Sequence, residues 1–272
     1  MHQNKPPRIL VFDSGVGGLS VLSEIHRQHP HCDLSYACDN AAFPYGKKSA
    51  GELIDRVDTV LNRLQTATAA DIIVIACNSA STLALPRIRS HFKQPIVGVV
   101  PAIKPGAKLS KTKVIGLLAT PGTIKRHYTK DLINEFATHC QIISVGSSEL
   151  VNLAEAKFRN VKVCNRILRQ IVQPFRENNQ LDTLILACTH FPLLLPELRA
   201  ALPRIQYWVN PAEAIARRVG YWLEQQNLAK TKYTVKTQPK HNCYFTANDI
   251  DLNALRPLLA EWQLDDIHII NL

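Results

Sequence analysis

The 272-residue chain is 46% hydrophobic and 20% charged, an ordinary globular composition with room for one large domain or two smaller ones and a core that needs no staples. No apolar run approaches the ~20 residues of a membrane span, and the first residues, MHQNKPPRIL, lack the apolar stretch of a signal peptide. The net charge of +10 is spread along the chain, with basic runs no longer than pairs such as Lys47-Lys48 and Arg217-Arg218, so it implies attraction for small anions rather than a nucleic-acid partner.

In chain order, short apolar runs predict strands over 8–12, 34–37, 72–76, 96–99, 114–118, 142–145, 183–187 and 206–209. Amphipathic segments between them predict helices over 16–28, 50–68, 82–91, 123–136, 161–176, 193–201 and 212–225. A basic stretch, AKTKYTVKTQPKH at 229–241, reads as a solvated connection to a last strand at 243–246 and a helix at 252–262. Strands that are apolar throughout, alternating with helices, mark parallel sheets covered on both faces. The expected class is α/β.

The chain repeats itself. DIIVIACNSASTLALPRIRS (71–90) lies on DTLILACTHFPLLLPELRA (182–200), each with an Asp, an apolar strand, a Cys, two polar residues and a helix containing Pro. Cys77 and Cys188 are then 111 positions apart. A fainter match relates RILVFDSGVGG to KVIGLLATPGT. The repeat points to two similar α/β halves facing each other across a cleft.

In parallel sheets, ligands bind beyond the carboxyl ends of the strands. Polar clusters fall there at Asp13-Ser14-Gly15, Cys77-Asn78-Ser79, Thr120 to Thr123 and Cys188-Thr189-His190, with FPYGKKS (43–49) in a loop after the second strand. The seven cysteines are scattered, without CxxC or zinc spacing, and read as reduced cytosolic thiols with no metal. Most are core residues. Cys77 and Cys188 differ, because each precedes a helix N-terminus, which favours thiolate. Cys38 also ends a strand but has no counterpart in the repeat. SGVGGLS lacks the third glycine of a dinucleotide loop, since Ser20 stands there, and it is no Walker sequence.

One cysteine with a histidine reads as a hydrolase. Two related cysteines across a cleft read as a racemase, which removes a proton from one face of a carbon and returns one to the other. Asp13 would then serve Cys77, and His190 would serve Cys188. Ser14, Asn78, Ser79, Thr123 and Thr189 fit the donors that an amino acid's carboxylates need, although Ser14 and Ser79 also suit helix capping, and His190 alone also suits a structural hydrogen bond.

VFDSGVGGLSVL, DNAAFPYGKKS, VIACNSAST, LLATPGT and LACTHFPLL closely resemble the cofactor-independent glutamate racemases, in family order from Phe12 to Leu194. The resemblance implies interconversion of L- and D-glutamate without a cofactor, supplying D-glutamate for peptidoglycan in the cytoplasm. It implies two α/β domains related by a pseudo-twofold axis, with the active site in the cleft between them. The first domain would be 1–98 plus 210–272, the second 99–209. Cys77 and Cys188 map onto the two acid/base residues, Cys77 taking the proton from D-glutamate and Cys188 from L-glutamate. Substrate contacts map onto Asp13, Ser14, Pro44, Tyr45, Gly46, Asn78, Ser79, Thr120, Thr123, Thr189 and His190. Ser79 stands where Thr is more usual, which keeps the hydroxyl. A supporting acid is expected in SSELVNLAEAKF, with Glu155 preferred to Glu149. A homodimer and, as in some bacterial members, an activating peptidoglycan precursor are further implications. The competing expectations are a racemase of another amino acid such as aspartate, a Cys-dependent hydrolase or amidase, and a non-catalytic binding protein.

Overall fold

The computed structural model describes residues 5–228, 239–248 and 252–272. The first ten residues of the expected basic connection, 229–238, lie outside the described residues. The chain forms two compact units, Met1–Val99 with Ala212–Leu272, and Val100–Pro211.

The first unit opens with strand β1 (Arg8–Asp13), helix α1 (Leu19–Gln28), β2 (Asp33–Cys38), α2 (Ala50–Thr68), β3 (Ile72–Ile75), α3 (Asn78–His91) and β4 (Ile96–Gly98). Helix α2 shows why such segments fold. Ser49 caps it by accepting from the Glu52 amide, and Leu53, Val57, Val60, Leu61 and Leu64 form one buried stripe at helical spacing. Each fully buried Leu or Val of that stripe contributes about 2 kcal/mol through removal from water. The helix stops at Ala69, in the left-handed conformation with φ 46°.

The second unit continues with α4 (Ile103–Leu109), β5 (Val114–Ala119), α5 (Pro121–Lys125), α6 (His127–Phe136), β6 (Gln141–Gly146), α7 (Glu149–Phe158), α8 (Asn165–Ile171), α9 (Gln173–Glu177), β7 (Thr183–Ala187), a 3-10 turn at Phe191–Leu194, α10 (Leu195–Ala201) and β8 (Tyr207–Val209). The chain then returns to the first unit with α11 (Ala212–Gln225), β9 (His241–Phe245), α12 (Leu252–Ala260) and β10 (Asp266–Ile269).

The first unit holds a six-stranded sheet in the order β10-β9-β2-β1-β3-β4, the second a four-stranded sheet in the order β6-β5-β7-β8. Among the described residues every pairing is parallel, as the continuously apolar central strands led one to expect. Register levels the carboxyl ends. Asp13 pairs with Cys38 and Phe12 with Ile75 in one sheet, and Ala119 pairs with both Gly146 and Ala187 in the other. Loops that leave these ends together carry the polar clusters.

Several boundaries differ from expectation. The helix expected over 123–136 breaks at Arg126, whose ψ of 138° is extended, leaving α5 and α6. That expected over 161–176 starts at Asn165 and interrupts at Val172, ahead of Pro174, giving α8 and α9. Residues Gly15 to Gly18 turn before α1, so the helix expected from 16 begins at Leu19. Asn78 and Ser79 already belong to α3, expected from 82. The helix expected over 193–201 is split into the 3-10 turn and α10, with a proline in the first turn of each. The strand expected at 243–246 lies at 241–245. Helices α4 and α7 and strand β10 were not anticipated. Strand β10 is a short edge strand with no continuous apolar run.

Candidate active site

In the first unit the site begins where β1 ends. Asp13 is fully buried, and its Oδ1 accepts from the Ser14 amide at 2.6 Å and the Ser14 hydroxyl at 3.4 Å. Gly18 permits this, because a Cβ there would lie 2.9 Å from the Asp13 Cβ and 3.0 Å from the Tyr36 ring. Ser14 Oγ is in turn 3.9 Å from the Cys77 sulfur, so the carboxylate and the thiol share one hydroxyl between them. Cys77 follows β3 in extended conformation and occupies the N-cap position of α3, at the positive end of the helix dipole. Asn78 and Ser79 are buried in that turn. Neither Nδ2 nor Oδ1 of Asn78 has a hydrogen-bond partner among the described residues. A buried amide with both ends unmatched costs free energy unless a ligand pairs with it.

The loop after β2 is held by a buried carboxylate. Asp39 accepts from Arg56 at 2.7 and 2.9 Å, from the Thr246 hydroxyl at 2.5 Å and from the Tyr45 hydroxyl. Burial alone would raise the Asp39 carboxyl, but the bonds from Arg56, Thr246 and Tyr45 hold it below the usual carboxylate range. Burial and the Asp39 charge push the Tyr45 phenol well above its ordinary value, so it stays a neutral donor. Pro44 and Gly46 flank Tyr45 and are half-buried. Asn40 extends the clamp, accepting from the Thr246 and Ala247 amides at 2.9 and 3.1 Å. Arg56 and Thr246 were missed in the sequence, since their partners lie 17 and 207 positions away.

In the second unit, Cys188 follows β7 and is buried with Thr189 and His190. His190 Nδ1 lies 3.8 Å from the Cys188 sulfur, and its Nε2 lies 2.8 Å from Glu155 Oε1 on α7. Burial alone would lower the imidazole, but the hydrogen bonds to Cys188 and Glu155 hold its pKa well above the ordinary 6.5. That direction favours the imidazolium form, between the Cys188 sulfur on one side and the Glu155 carboxylate on the other. Glu155 is this partner, while Glu149 is exposed at the start of α7. Thr120 caps α5 by accepting from the Thr123 amide at 3.2 Å, and the two hydroxyls are 2.9 Å apart. Thr129 donates to the Thr123 carbonyl at 2.7 Å and fixes that turn.

Each unit thus gathers its own expected residues. Asp13, Ser14, Cys77, Asn78, Ser79 and the 44–46 loop lie at the carboxyl end of the first sheet. Thr120, Thr123, Glu155, Cys188, Thr189 and His190 lie at that of the second. Cys38 touches the first cluster through its sulfur, 3.7 Å from the Ser14 carbonyl oxygen. Among the described residues no group of three or more His, Cys, Asp or Glu side chains is placed to hold a metal ion. No described helix is long and apolar enough to cross a membrane.

Comparison with known proteins bears on this arrangement. Residues 9–219 match the Asp/Glu/hydantoin racemase family. A glutamate racemase of Pectobacterium carotovorum subsp. carotovorum is 47% identical over 96% of this chain and 90% of its own length. That of Pasteurella multocida is 40% identical over 100% of this chain and 99% of its own. The crystal structure of Escherichia coli glutamate racemase in complex with L-glutamate and the activator UDP-MurNAc-Ala has a TM-score of 0.90 at 42% identity, covering 98% of each chain. With a cysteine ending matched strands in both units, and with relatives this similar along its length, the chain belongs to the Asp/Glu/hydantoin racemase family.

Proposed function

We infer that this chain is a glutamate racemase that uses Cys77 and Cys188 as its two acid/base groups and requires no cofactor. The observation that carries the reading is the pair of matched cysteines. Each follows a buried parallel strand, and each has a polar relay beside it that ends in a carboxylate. The substrate assignment rests on the 40–47% identity to glutamate racemases over nearly the whole chain.

The chemistry follows from acidity. The α-proton of an amino acid is very weakly acidic, so the protein must stabilise carbanion character by positioned donors and charge. Cys188 as thiolate takes the α-proton from L-glutamate, breaking Cα–H and forming S–H, while the electron pair delocalises towards the carboxylate. The Cys77 thiol delivers its proton to the opposite face of Cα and becomes thiolate. D-glutamate results, and the reverse reaction exchanges the two roles. The sulfurs must then re-exchange protons before the next turnover in the same direction. His190 with Glu155 provides that path for Cys188, and Ser14 with Asp13 provides it for Cys77. Asn78 offers its unmatched amide to the substrate. Ser79, Thr120, Thr123, Thr189 and the Pro44-Tyr45-Gly46 loop supply further contacts, with Tyr45 held in place by Asp39.

Incubation with L-glutamate in deuterated water tests this. Loss of optical activity with deuterium entering Cα, and no added pyridoxal phosphate, is the expected result. Exchange with aspartate but not glutamate would move the substrate, and release of ammonia would replace racemisation by hydrolysis.

The reading extends to setting. The domains are taken as 1–98 with 210–272, and 99–209. The product supplies cytoplasmic peptidoglycan synthesis, and the chain works as a homodimer, which sedimentation checks. Activation by a peptidoglycan precursor is carried over from the Escherichia coli relative. A cavity of about 480 Å³ in the first unit supports it, because Arg89, Lys93 and Arg218 supply positive charge for a diphosphate and Trp222 a ring for a base. Arg218→Glu is expected to abolish activation by UDP-MurNAc-Ala and leave unactivated turnover intact.

A further inference from the structure

We propose that Lys157 is a positioning residue for the Cys188 side of the reaction, clamping helix α7 to the turn that follows His190. The inference rests on the racemase reading and adds a residue to it.

The turn is a strut with few degrees of freedom. The Phe191 amide donates to the Cys188 carbonyl at 3.1 Å, and the Leu193 amide donates to the His190 carbonyl at 3.1 Å. A displacement at Leu193 is therefore passed back to His190 and Cys188. Lys157 Nζ holds the far end of this strut. It donates to the Leu193 carbonyl at 2.9 Å and to Glu197 Oε2 on α10 at 2.8 Å. Two of the three ammonium hydrogens are thus committed to acceptors of different kinds in fixed directions.

Lys157 sits on the same helix as Glu155, two residues further on. The last turn of α7 is closed by the Arg159 amide on the Glu155 carbonyl at 3.3 Å and the Asn160 amide on the Lys157 carbonyl at 2.9 Å, so the two side chains spring from one rigid segment. Helix α7 therefore meets the segment 190–197 at two points: Glu155 on the imidazole and Lys157 on the turn and α10. Helix α7 also packs against the Phe191–Leu194 turn, and the second polar contact adds a directional restraint to that packing. Two contacts fix both the 2.8 Å bond to Nε2 and the 3.8 Å approach of Nδ1 to sulfur.

Stability does not explain this arrangement by itself. The ion pair is partly open, with side-chain exposures of 32% and 20%, and such pairs contribute little to folding. Proton transfer, in contrast, is steep in distance, and an ångström of misplacement costs about 100-fold in rate.

The experiment uses glutamate deuterated at Cα, in each enantiomer, with wild type, Lys157→Met and Lys157→Arg. In Lys157→Met, kcat is expected to fall roughly tenfold, an intermediate effect on that scale. The primary isotope effect should rise for deuterated L-glutamate, whose proton leaves to Cys188, and fall for deuterated D-glutamate, whose proton leaves to Cys77. Lys157→Arg, which keeps donors for both acceptors, should restore both values. If Lys157→Met fails to fold, Glu197→Gln, which removes one of the two acceptor charges, is read in the same way with a smaller shift. Isotope effects that stay unchanged, or move alike for both enantiomers, overturn the proposal. Absence of racemisation by the wild type would instead sink the racemase reading itself.

Discussion

Cys77 and Cys188 end equivalent strands 111 positions apart, yet the groups beside them differ in kind. Cys77 faces a neutral hydroxyl, Ser14, with the Asp13 carboxylate behind it. Cys188 faces an imidazole whose pKa is raised by its bonds to Cys188 and Glu155, with the Glu155 carboxylate behind it. The strand-to-cysteine pattern is duplicated, and the groups proposed as proton relays are not. On the proposed mechanism, two thiols that trade thiol and thiolate states need no identical partners. They need a route by which each recovers its starting state, and a hydroxyl bridge or an imidazole serves. The side with the imidazole carries a group whose charge changes with pH. The other side has none in the same position.

The comparison is broken most severely by removing either sulfur. Cys77→Ser and Cys188→Ser are each expected to lower racemisation by about 10³-fold or more while far-ultraviolet circular dichroism stays that of the wild type, since positioned acid/base groups contribute about 10²–10⁴-fold. Wild-type turnover in either variant would remove the symmetry of roles.

The relays come next. His190→Asn should cost about 100-fold in kcat, because it deletes the group proposed to exchange protons with Cys188. Ser14→Ala should cost less, about tenfold, because water can stand in for a hydroxyl more readily than for an imidazolium. Equal losses would mean that the two relays do the same work.

The same contrast appears at the other end of the cysteine strands. Asp71 and Asp182 occupy matching places before β3 and β7. Asp182 is buried and accepts from the Ser110 and Thr183 hydroxyls and from the Lys111 and Thr112 amides at 2.7–3.0 Å. Asp71 pairs with the Arg8 amide and with its half-exposed guanidinium. Asp182→Asn should destabilise by about 2 kcal/mol, because an amide with a single acceptor oxygen cannot satisfy four donors, two of them buried hydroxyls. Asp71→Asn should cost under about 1 kcal/mol. Urea midpoints of the two variants check the difference.

The smallest effect is the pH dependence of stability. The His190 pKa is raised in the fold, so its contribution is complete below the ordinary 6.5 and is lost as pH climbs through the raised value. The melting-temperature gap between wild type and His190→Asn should narrow as pH rises from 6.5 into the alkaline range. His241 behaves oppositely. Burial and the neighbouring His26 lower its pKa, so its contribution is present above 6.5 and is lost as pH falls.

The sequence was legible where one local pattern decided the structure. Apolar runs of four to six residues that end in a polar cluster became strands delivering Cys77 and Cys188, and the internal repeat marked them as a pair. Contacts between residues far apart in the chain were not legible. Glu155 and His190 are 35 positions apart, and although Glu155 was preferred to Glu149, its bond to the imidazole follows only from the packing of α7 beside the turn at Phe191–Leu194. Tyr45 could be singled out from its loop, but its support by Asp39, Arg56 and Thr246 joins three segments that share no local pattern. The breaks at Arg126 and Val172 were hidden for another reason. They are backbone dihedrals inside stretches whose apolar spacing continues across them.

The central claim is that two different sulfurs handle the proton on the two faces of Cα. It is tested most directly by stopping the wild-type reaction early, after L-glutamate has been converted to only a few per cent in deuterated water, and analysing each enantiomer separately. Two bases predict deuterium at Cα of the D-glutamate formed and protium retained in the L-glutamate recovered. Protium carried over into D-glutamate, or equal deuterium in both enantiomers from the start, would mean that one group serves both faces and would contradict the account.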